Sequence, residues 1–323
     1  MCTAISFTPN KHYFGRNLDL EGSFGEGVVV TPRGYRFAFR LAGSSCGYAL
    51  IGMAIVQGGV PLYYDAVNEY GLGMAGLNFP KNAAYQPAQV DKINLAPFEM
   101  IPYVLGRCKS LSEARELLMR VNVTDVHFSP QLKNTPLHWM ISDRTGSLVA
   151  EPTAEGLKVY ENPVHVLTNN PPFPMQLSRL SDYMSLTPYE PENRFSKEVE
   201  LVNYSRGMGT IGMPGDWSSA SRFVRAVFTR FNLVAGDGEE GAVNGFFHIL
   251  QSVAVPRGCM RLKEGVYEET VYSSCCNADD GVYYYTTYGN PTIHAVSLHA
   301  ADLSADKPIY YPLKKDLQIE RDN

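Results

Sequence analysis

The chain has 323 residues and a formal net charge of −5, with 45% hydrophobic and 19% charged residues. This composition is typical of a globular protein with a large core, and no lysine- or arginine-rich block suggests nucleic acid or an anionic membrane as a partner. No apolar run reaches transmembrane length and no secretory signal opens the chain, so we expect a cytoplasmic protein.

The first residues place a thiol next to the chain terminus. Cys2 follows Met1, and a small second residue allows an aminopeptidase to remove the methionine. Cys2 would then carry both a thiol, with a pKa of about 8.5, and a free α-amine, with a pKa of about 8. Such a residue can supply both nucleophile and base. From these residues alone, a catalytic Cys2 and an incidental terminal cysteine both remain open.

The residues around Cys2 favour an ordered terminus. Thr3 to Thr8 alternates polar and apolar residues, which predicts a half-buried strand. A turn at 9–12 would lead into a second strand over Tyr13–Asn17, which brings Arg16 near Cys2. A guanidinium beside a thiol favours the reactive thiolate, whereas Arg16 and Asp19 could equally form a surface ion pair.

The rest of the chain predicts strands around paired helices. We expect a strand over 35–41, helices from Pro97 to about Cys108 and over about 111–121, and a helix over about 175–184. A helix capped by Ser218 or Ser219 and another over 242–253 follow, with strands again near the C-terminus. Because strands and helices do not alternate regularly, antiparallel sheets covered by helices are favoured over a doubly wound fold.

Motifs along the whole chain resemble those of the choloylglycine hydrolases, a family of N-terminal nucleophile amidases that includes bile salt hydrolases and penicillin V acylases. The matching motifs are MCTAISF, HYFGRNLDLE, YYDAVNEYGLGMAGLNFP, PLHWMISD, VLTNNP, GMPGDWSSASRF, YSSCCN and GVYYYTTY. The resemblance implies an α+β fold, the four-layer αββα sandwich of two antiparallel sheets between helices. It also implies a single domain over 2–323, after removal of Met1.

The resemblance assigns catalytic roles to six residues. Cys2 would be the nucleophile and its α-amine the base, Arg16 would polarise the thiol, and Asp19 would hold the amine. Asn78 and Asn169 would donate hydrogen bonds to the oxyanion.

Arg222 matches an arginine near the nucleophile in the family. Its position in the first turn of a helix opposes the helix dipole, and the periodicity places it off the apolar face. Without the resemblance it would be interpreted as a solvated helix arginine. His138 is interpreted as a core histidine, not a base.

The resemblance also indicates the substrate. Leu18, Phe24, Phe128 and Leu132 occupy positions similar to steroid-contacting residues of bile salt hydrolases, and exposed apolar loop residues suit a large acyl group. We therefore expect hydrolysis of glycine- and taurine-conjugated bile acids through a thioester. The expectation includes no metal or organic cofactor, no nucleic-acid or membrane partner, and a homotetramer by family resemblance.

Two other functions remain open. A penicillin V acylase or related N-acyl amidase would use the same machinery, although the resemblance disfavours it, since penicillin V acylases commonly carry tyrosine where this chain has Asn78. An inactive family member that only binds bile acids is the second alternative, and the presence of all the expected polar residues argues against it.

Overall fold

The computed structural model describes residues 1–323 and contains nineteen strands and five α-helices. The strands are β1 (Cys2–Phe7), β2 (Tyr13–Leu20), β3 (Gly27–Thr31), β4 (Phe37–Phe39), β5 (Gly43–Ser45), β6 (Leu50–Gln57), β7 (Val60–Asn68), β8 (Gly73–Asn78), β9 (Ile93–Leu95), β10 (Val121–Val123), β11 (Leu137–Asp143), β12 (Gly146–Thr153), β13 (Gly156–Glu161), β14 (Val166–Leu167), β15 (Met260–Lys263), β16 (Val266–Asn277), β17 (Val282–Thr287), β18 (Asn290–Ser297) and β19 (Ile309–Pro312). The helices are α1 (Met100–Leu105), α2 (Leu111–Leu118), α3 (Phe173–Arg179), α4 (Ser219–Asn232) and α5 (Gly238–Gln251). None of these helices has the length and apolar character that crossing a bilayer requires.

Two antiparallel sheets form the centre of the molecule. The first has the order β14-β1-β2-β16-β17-β18, with β15 added beside β16. The second has the order β13-β12-β11-β8-β7-β6-β3-β19. Two small two-stranded sheets, β4–β5 and the parallel pair β9–β10, lie apart from them.

The helices cover the outer faces of the two sheets. One apolar cluster joins the inner faces of both sheets and also includes the residues of α4 and α5 that pack on the first sheet. A second cluster packs α1 and α2 against the second sheet. The layers therefore run helix, sheet, sheet, helix, and the expected αββα sandwich is confirmed.

Local sequence signals explain how the main elements start. The turn at 9–12 joins β1 to β2 in a hairpin, with Cys2 opposite Leu18. Ser110 caps α2 by accepting a hydrogen bond from the Glu113 amide, and Ser218 caps α4 in the same way from Ser221. Because both faces of β1 are covered, all six of its residues are buried, including those that the alternating pattern would place on a solvent face.

Some element predictions need correction, and some strands were missed. The strand expected over 35–41 is reduced to β4, which spans three residues. The helix expected over about 175–184 begins and ends earlier, as α3, and continues as a 3₁₀ turn over Leu180–Tyr183. Strand β19 was not predicted, since its short Ile-Tyr-Tyr-Pro segment becomes a strand only by pairing with β3 from the other end of the chain.

Candidate active site

Cys2 begins a strand that has a neighbour on both edges. Strand β1 pairs with β2 on one side and with β14 on the other. The pairing of Ala4 with Leu167, continued by two residues, places Asn169 opposite Cys2. In agreement, the Cys2 amide donates a hydrogen bond to Asn169 Oδ1 at 2.9 Å. The Cys2 side chain is buried, so the sheet fixes the position of the sulfur through backbone pairing.

The candidate residues divide between the two faces of the first sheet. Side chains alternate along a strand, so Cys2 shares the inner face with Leu18 and Arg16, which lie opposite Cys2 and Ala4 on β2. All three line one cavity, whose other walls come from the second sheet, α1 and loops. Asp19 lies on the other face, where α4 packs. The side chains predicted to act together therefore reach Cys2 from two sides.

Arg16 is fully buried beside Cys2. Its guanidinium donates to the carbonyl oxygens of Tyr64, at 3.0 Å, and Gly76. Burial alone would lower the pKa of Arg16, but Cys2 and neighbouring acidic groups raise it overall. Nη2 has no hydrogen-bond partner in the protein. Arg16 is thus a permanent cation that lines the same cavity as the thiol.

Arg222 binds the backbone of the first strand from the outer face. Its Nη1 donates to the Cys2 carbonyl and to Thr3 Oγ1, both at 2.6 Å, and its Nη2 donates to Asn169 Oδ1 at 2.7 Å. Asp19 Oδ2 lies 3.9 Å from Nη1. The pKa of Arg222 is lowered overall, because the effect of burial exceeds the raising effects of Asp19 and Cys2. The interpretation of Arg222 as lying off the apolar face is wrong, because the side chain is fully buried between α4 and the sheet.

The carboxylate of Asp19 is buried on the outer face. Its Oδ1 accepts a hydrogen bond from Thr270 Oγ1 at 2.6 Å, while Oδ2 has no hydrogen-bond partner. The Asp19 backbone pairs with Met1, accepting from the terminal amine and donating to the Met1 carbonyl. The amine also pairs with Glu268, and burial lowers the pKa of this amine. With Met1 present, the nitrogen of Cys2 is an amide that bonds Asn169, not Asp19.

The two asparagines are joined by a hydrogen bond, and of the two only Asn78 lines the cavity. Asn169 Nδ2 donates to the Asn78 carbonyl at 2.6 Å, which leaves its second N–H without a partner in the protein. The Asn78 side-chain amide makes no hydrogen bond within the protein, and it lines the cavity together with Cys2. Both asparagines therefore retain donor capacity, Asn78 on the cavity wall and Asn169 beside the Cys2 amide.

The cavity has a volume of about 390 Å³ and is mostly apolar. The four residues predicted to contact substrate, Leu18, Phe24, Phe128 and Leu132, all line it. Other elements contribute an apolar part of the wall that the sequence did not reveal: Ile55, Leu62, Phe98, Ile101, Leu137 and Trp139. These residues lie in apolar stretches, where nothing in the sequence separates a cavity wall from a packed core.

A buried carboxylate behind Arg16 was also missed. Asp65, on β7, accepts hydrogen bonds from Tyr272 at 2.6 Å, Tyr283 at 2.7 Å and Ser274 at 3.2 Å. Burial raises the pKa of Asp65 overall, although Arg16 and the three hydroxyl donors oppose that rise. Because each oxygen of Asp65 only accepts, the contacts suit the ionised form. Asp65 is thus a counter-charge to Arg16 that reaches across from the second sheet.

No group of three or more His, Cys, Asp or Glu side chains is arranged to hold a metal ion.

His138 is fully buried and bonds Glu151 and the Thr168 carbonyl, as expected of a core histidine.

Comparison with known proteins agrees with this geometry. Residues 2–311 match the family model of linear amide C–N hydrolases, choloylglycine hydrolase family. The chain belongs to the choloylglycine hydrolase family. The chain is therefore an amide hydrolase by membership of a family of linear amide C–N hydrolases.

Two bacterial relatives are similar over nearly their whole length. A bile salt hydrolase/transferase from Lactiplantibacillus plantarum is 48% identical over 319 residues, with 98% of each chain covered. A bile salt hydrolase/transferase from Clostridium perfringens is 36% identical, with all of each chain covered.

Solved structures agree with the fold. A mutant of the conjugated bile acid hydrolase from Clostridium perfringens superposes with a TM-score of 0.92 at 35% identity, over the full length of both chains. Penicillin V acylase from Agrobacterium tumefaciens superposes with a TM-score of 0.74 over 98% of this chain and 92% of its own. Because it is only 18% identical, it supports the fold alone.

The buried charge of Asp65 leads to a prediction about the thiol of Cys2. In an Asp65→Asn variant, the cation of Arg16 is no longer offset by a nearby carboxylate, so the thiolate is favoured. We expect Cys2 of this variant to react faster with iodoacetamide at neutral pH than Cys2 of the wild type. Peptide-resolved rates of alkylation at one fixed pH, on chains with Met1 removed, measure this difference.

Tyr272→Phe is the matched control, because it removes one hydrogen bond to Asp65 but keeps the carboxylate. Its alkylation profile should stay close to that of the wild type. An equal change of rate in both variants would mean that local packing, and not the charge of Asp65, sets the reactivity of the thiol.

Proposed function

We propose that this chain hydrolyses the amide bond of glycine- and taurine-conjugated bile acids, with Cys2 as nucleophile after removal of Met1, over a single domain of residues 2–323. The observation that carries the proposal is one cavity that joins Cys2, Arg16 and Asn78 to a large apolar wall. The two relatives described as bile salt hydrolase/transferase support the substrate class.

The first half of the proposed reaction forms a thioester. The α-amine of Cys2 takes the thiol proton, and the thiolate, favoured by Arg16, attacks the amide carbonyl. Asn78 and Asn169 donate hydrogen bonds to the oxyanion, and losing one such donor typically costs about 3–4 kcal/mol of barrier. The C–N bond then breaks as the α-ammonium returns its proton to the leaving glycine or taurine nitrogen.

The second half releases the bile acid. The α-amine removes a proton from water, which attacks the thioester, and the C–S bond breaks to give the free acid and the thiol. Asp19 and Arg222 position this amine: Arg222 holds the Cys2 carbonyl and Asn169 Oδ1, and Asp19 Oδ2 lacks a hydrogen-bond partner, so it is free to accept from the mature amine.

The apolar wall supports a steroid as the acyl group. Leu18, Phe24, Phe128 and Leu132 contribute to it, and a pocket of this kind buries a rigid apolar ligand well. A penicillin V acylase is the alternative. Asn78 disfavours it, because penicillin V acylases commonly carry tyrosine at this position.

Turnover assays on variants and measurement of the intact protein mass test whether Cys2 is the nucleophile. Cys2→Ala should abolish turnover of glycocholate, because the thiolate is lost, while melting temperature stays within a few degrees of the wild type. Intact mass after a rapid acid quench should show an acyl adduct on the wild type. A blocked terminus, in which residues precede Cys2, should also abolish turnover, since the amine base becomes an amide.

Cys2→Ser is the matched control, since it keeps shape and amine but is the weaker nucleophile. Normal turnover by Cys2→Ala, or by the blocked chain, would contradict the assignment. Binding of glycocholate without any turnover by the wild type would favour the inactive binding member.

The substrate class is tested by a panel of taurocholate, glycocholate and penicillin V. We expect kcat/KM for the better bile salt to exceed that for penicillin V by about 100-fold or more, a difference in transition-state binding of about 3 kcal/mol. Adding ¹⁵N-glycine tests whether an amine also intercepts the thioester, as the word transferase in the names of both relatives suggests. Preferred hydrolysis of penicillin V would reject the bile-salt proposal.

We also propose that the chain assembles as a homotetramer. The stretch 184–211 contains no α-helix or β-strand and exposes many large apolar side chains: Met184, Tyr189, Phe195, Val199, Leu201, Val202, Tyr204 and Ile211. Many exposed apolar side chains gathered in one segment indicate an interaction site, and the proposed occupant is a second copy of the chain.

Light scattering after size exclusion tests the assembly. The double variant Phe195→Ser/Val202→Ser should give a smaller particle than the wild-type tetramer. The control Phe231→Ser/Val90→Ser removes the same residue types from exposed positions elsewhere and should leave the tetramer intact. A monomeric wild type would overturn the proposal.

A further inference from the structure

A buried histidine lies between the two asparagines of the site without touching the cavity. His138 is on β11, where it pairs with Leu77, the residue before Asn78. The β11–β12 register, continued by one residue from the Trp139–Ala150 pair, places Glu151 opposite His138. Both side chains are fully buried. An ionisable pair with no solvent contact requires specific partners to offset its desolvation.

Both ring nitrogens of His138 have such partners. Nε2 lies 2.8 Å from the Thr168 carbonyl, and because a carbonyl only accepts, Nε2 carries a proton. Nδ1 lies 3.1 Å from Glu151 Oε1, which also accepts the Phe173 amide at 3.0 Å. The ring orientation is therefore fixed at both ends, as it is when a carboxylate orients a working histidine.

These contacts connect His138 to both asparagine-bearing segments. Thr168, whose carbonyl His138 binds, directly precedes Asn169. The ring of Phe79, which directly follows Asn78, stacks on the imidazole with a centroid distance of 4.2 Å and an interplanar angle of 5°. One imidazole thus contacts the neighbours of both asparagines, through a hydrogen bond on one side and through its ring face on the other.

The asparagines themselves meet through a single hydrogen bond. Asn169 Nδ2 donates to the Asn78 carbonyl at 2.6 Å. The Asn78 side chain has no partner in the protein, so its direction depends on the placement of its backbone. An oxyanion requires its donors at about 2.7–3.1 Å from the position that the charge will occupy, so a small relative displacement of the two segments weakens both donors.

We propose that His138 is a positioning residue that sets the placement of Asn78 relative to Asn169, with Glu151 as the group that orients its ring. This inference rests on the proposed function, in which both asparagines bind the oxyanion. His138 touches neither substrate nor sulfur, and it acts through the two segments that it joins.

The test is a double-mutant cycle on the full-length chain with Met1 removed. His138→Gln should lower kcat for glycocholate by about tenfold or more and leave KM within about twofold, because donors that act in the transition state are misplaced. In an Asn78→Ala background the same substitution should have a clearly smaller effect, since the donor it positions is already gone. Glu151→Gln, the milder variant, should follow the same pattern with a smaller loss.

His12→Gln is the matched control, because His12 is also buried but lies at the turn before β2, outside the cavity. It should leave kcat unchanged. If His138→Gln does not fold, the cycle is run with Glu151→Gln and with Phe79→Leu, which removes the ring stacking.

The outcomes separate the two proposals. Equal losses of kcat with and without the Asn78 side chain, or a loss of melting temperature with normal kcat, would overturn the positioning role while wild-type turnover keeps the proposed function. A wild type that does not hydrolyse conjugated bile acids would overturn both.

Discussion

The site depends on the burial of the chain terminus inside a sheet. Strand β1 is paired on both edges, and its first residue is Cys2. A terminal strand usually frays, but here the guanidinium of Arg222 also binds the Cys2 carbonyl and the Thr3 hydroxyl. The sulfur is therefore held by backbone pairing and one buried arginine, and every other candidate group is placed relative to it.

Burying several charges near one thiol carries a cost that the structure offsets locally. Arg16 and Arg222 are both fully buried, and each donates mainly to backbone carbonyls or to an amide oxygen. Two carboxylates offset these positive charges. Asp19 lies on the outer face of the first sheet, and Asp65 reaches the inner face from the second sheet. Because desolvation can exceed the attraction between such charges, stability does not explain the arrangement. The proposed function, in which these charges act on a thiolate and an amine, accounts for it.

Motifs in the sequence identified residues whose chemical type matters for the candidate site. They were much less informative about which side chains the fold buries or brings into contact. Cys2, Arg16, Asn78 and the four apolar residues were predicted from motifs, and all seven line one cavity. The burial of Arg222 was missed, because helix periodicity predicts apolar side chains on the buried face. It cannot show that a guanidinium is buried there with oxygen atoms of other segments as its hydrogen-bond acceptors. Asp65 was missed because its partners, Tyr272 and Tyr283, lie more than 200 residues away in sequence.

The division of the site between two faces of one sheet has a functional consequence. Arg222 binds the Cys2 backbone from the outer face with Asp19 beside it, whereas the apolar wall of the cavity comes from the second sheet, from α1 and from loops. Loops and cavity walls can change without moving the hydrogen bonds of β1. Under the proposed function, one nucleophile can therefore serve different acyl groups, because the elements that form most of the cavity wall are not those that position the sulfur. The hydrogen bond from Asn169 to the Asn78 carbonyl is a contact between the two parts.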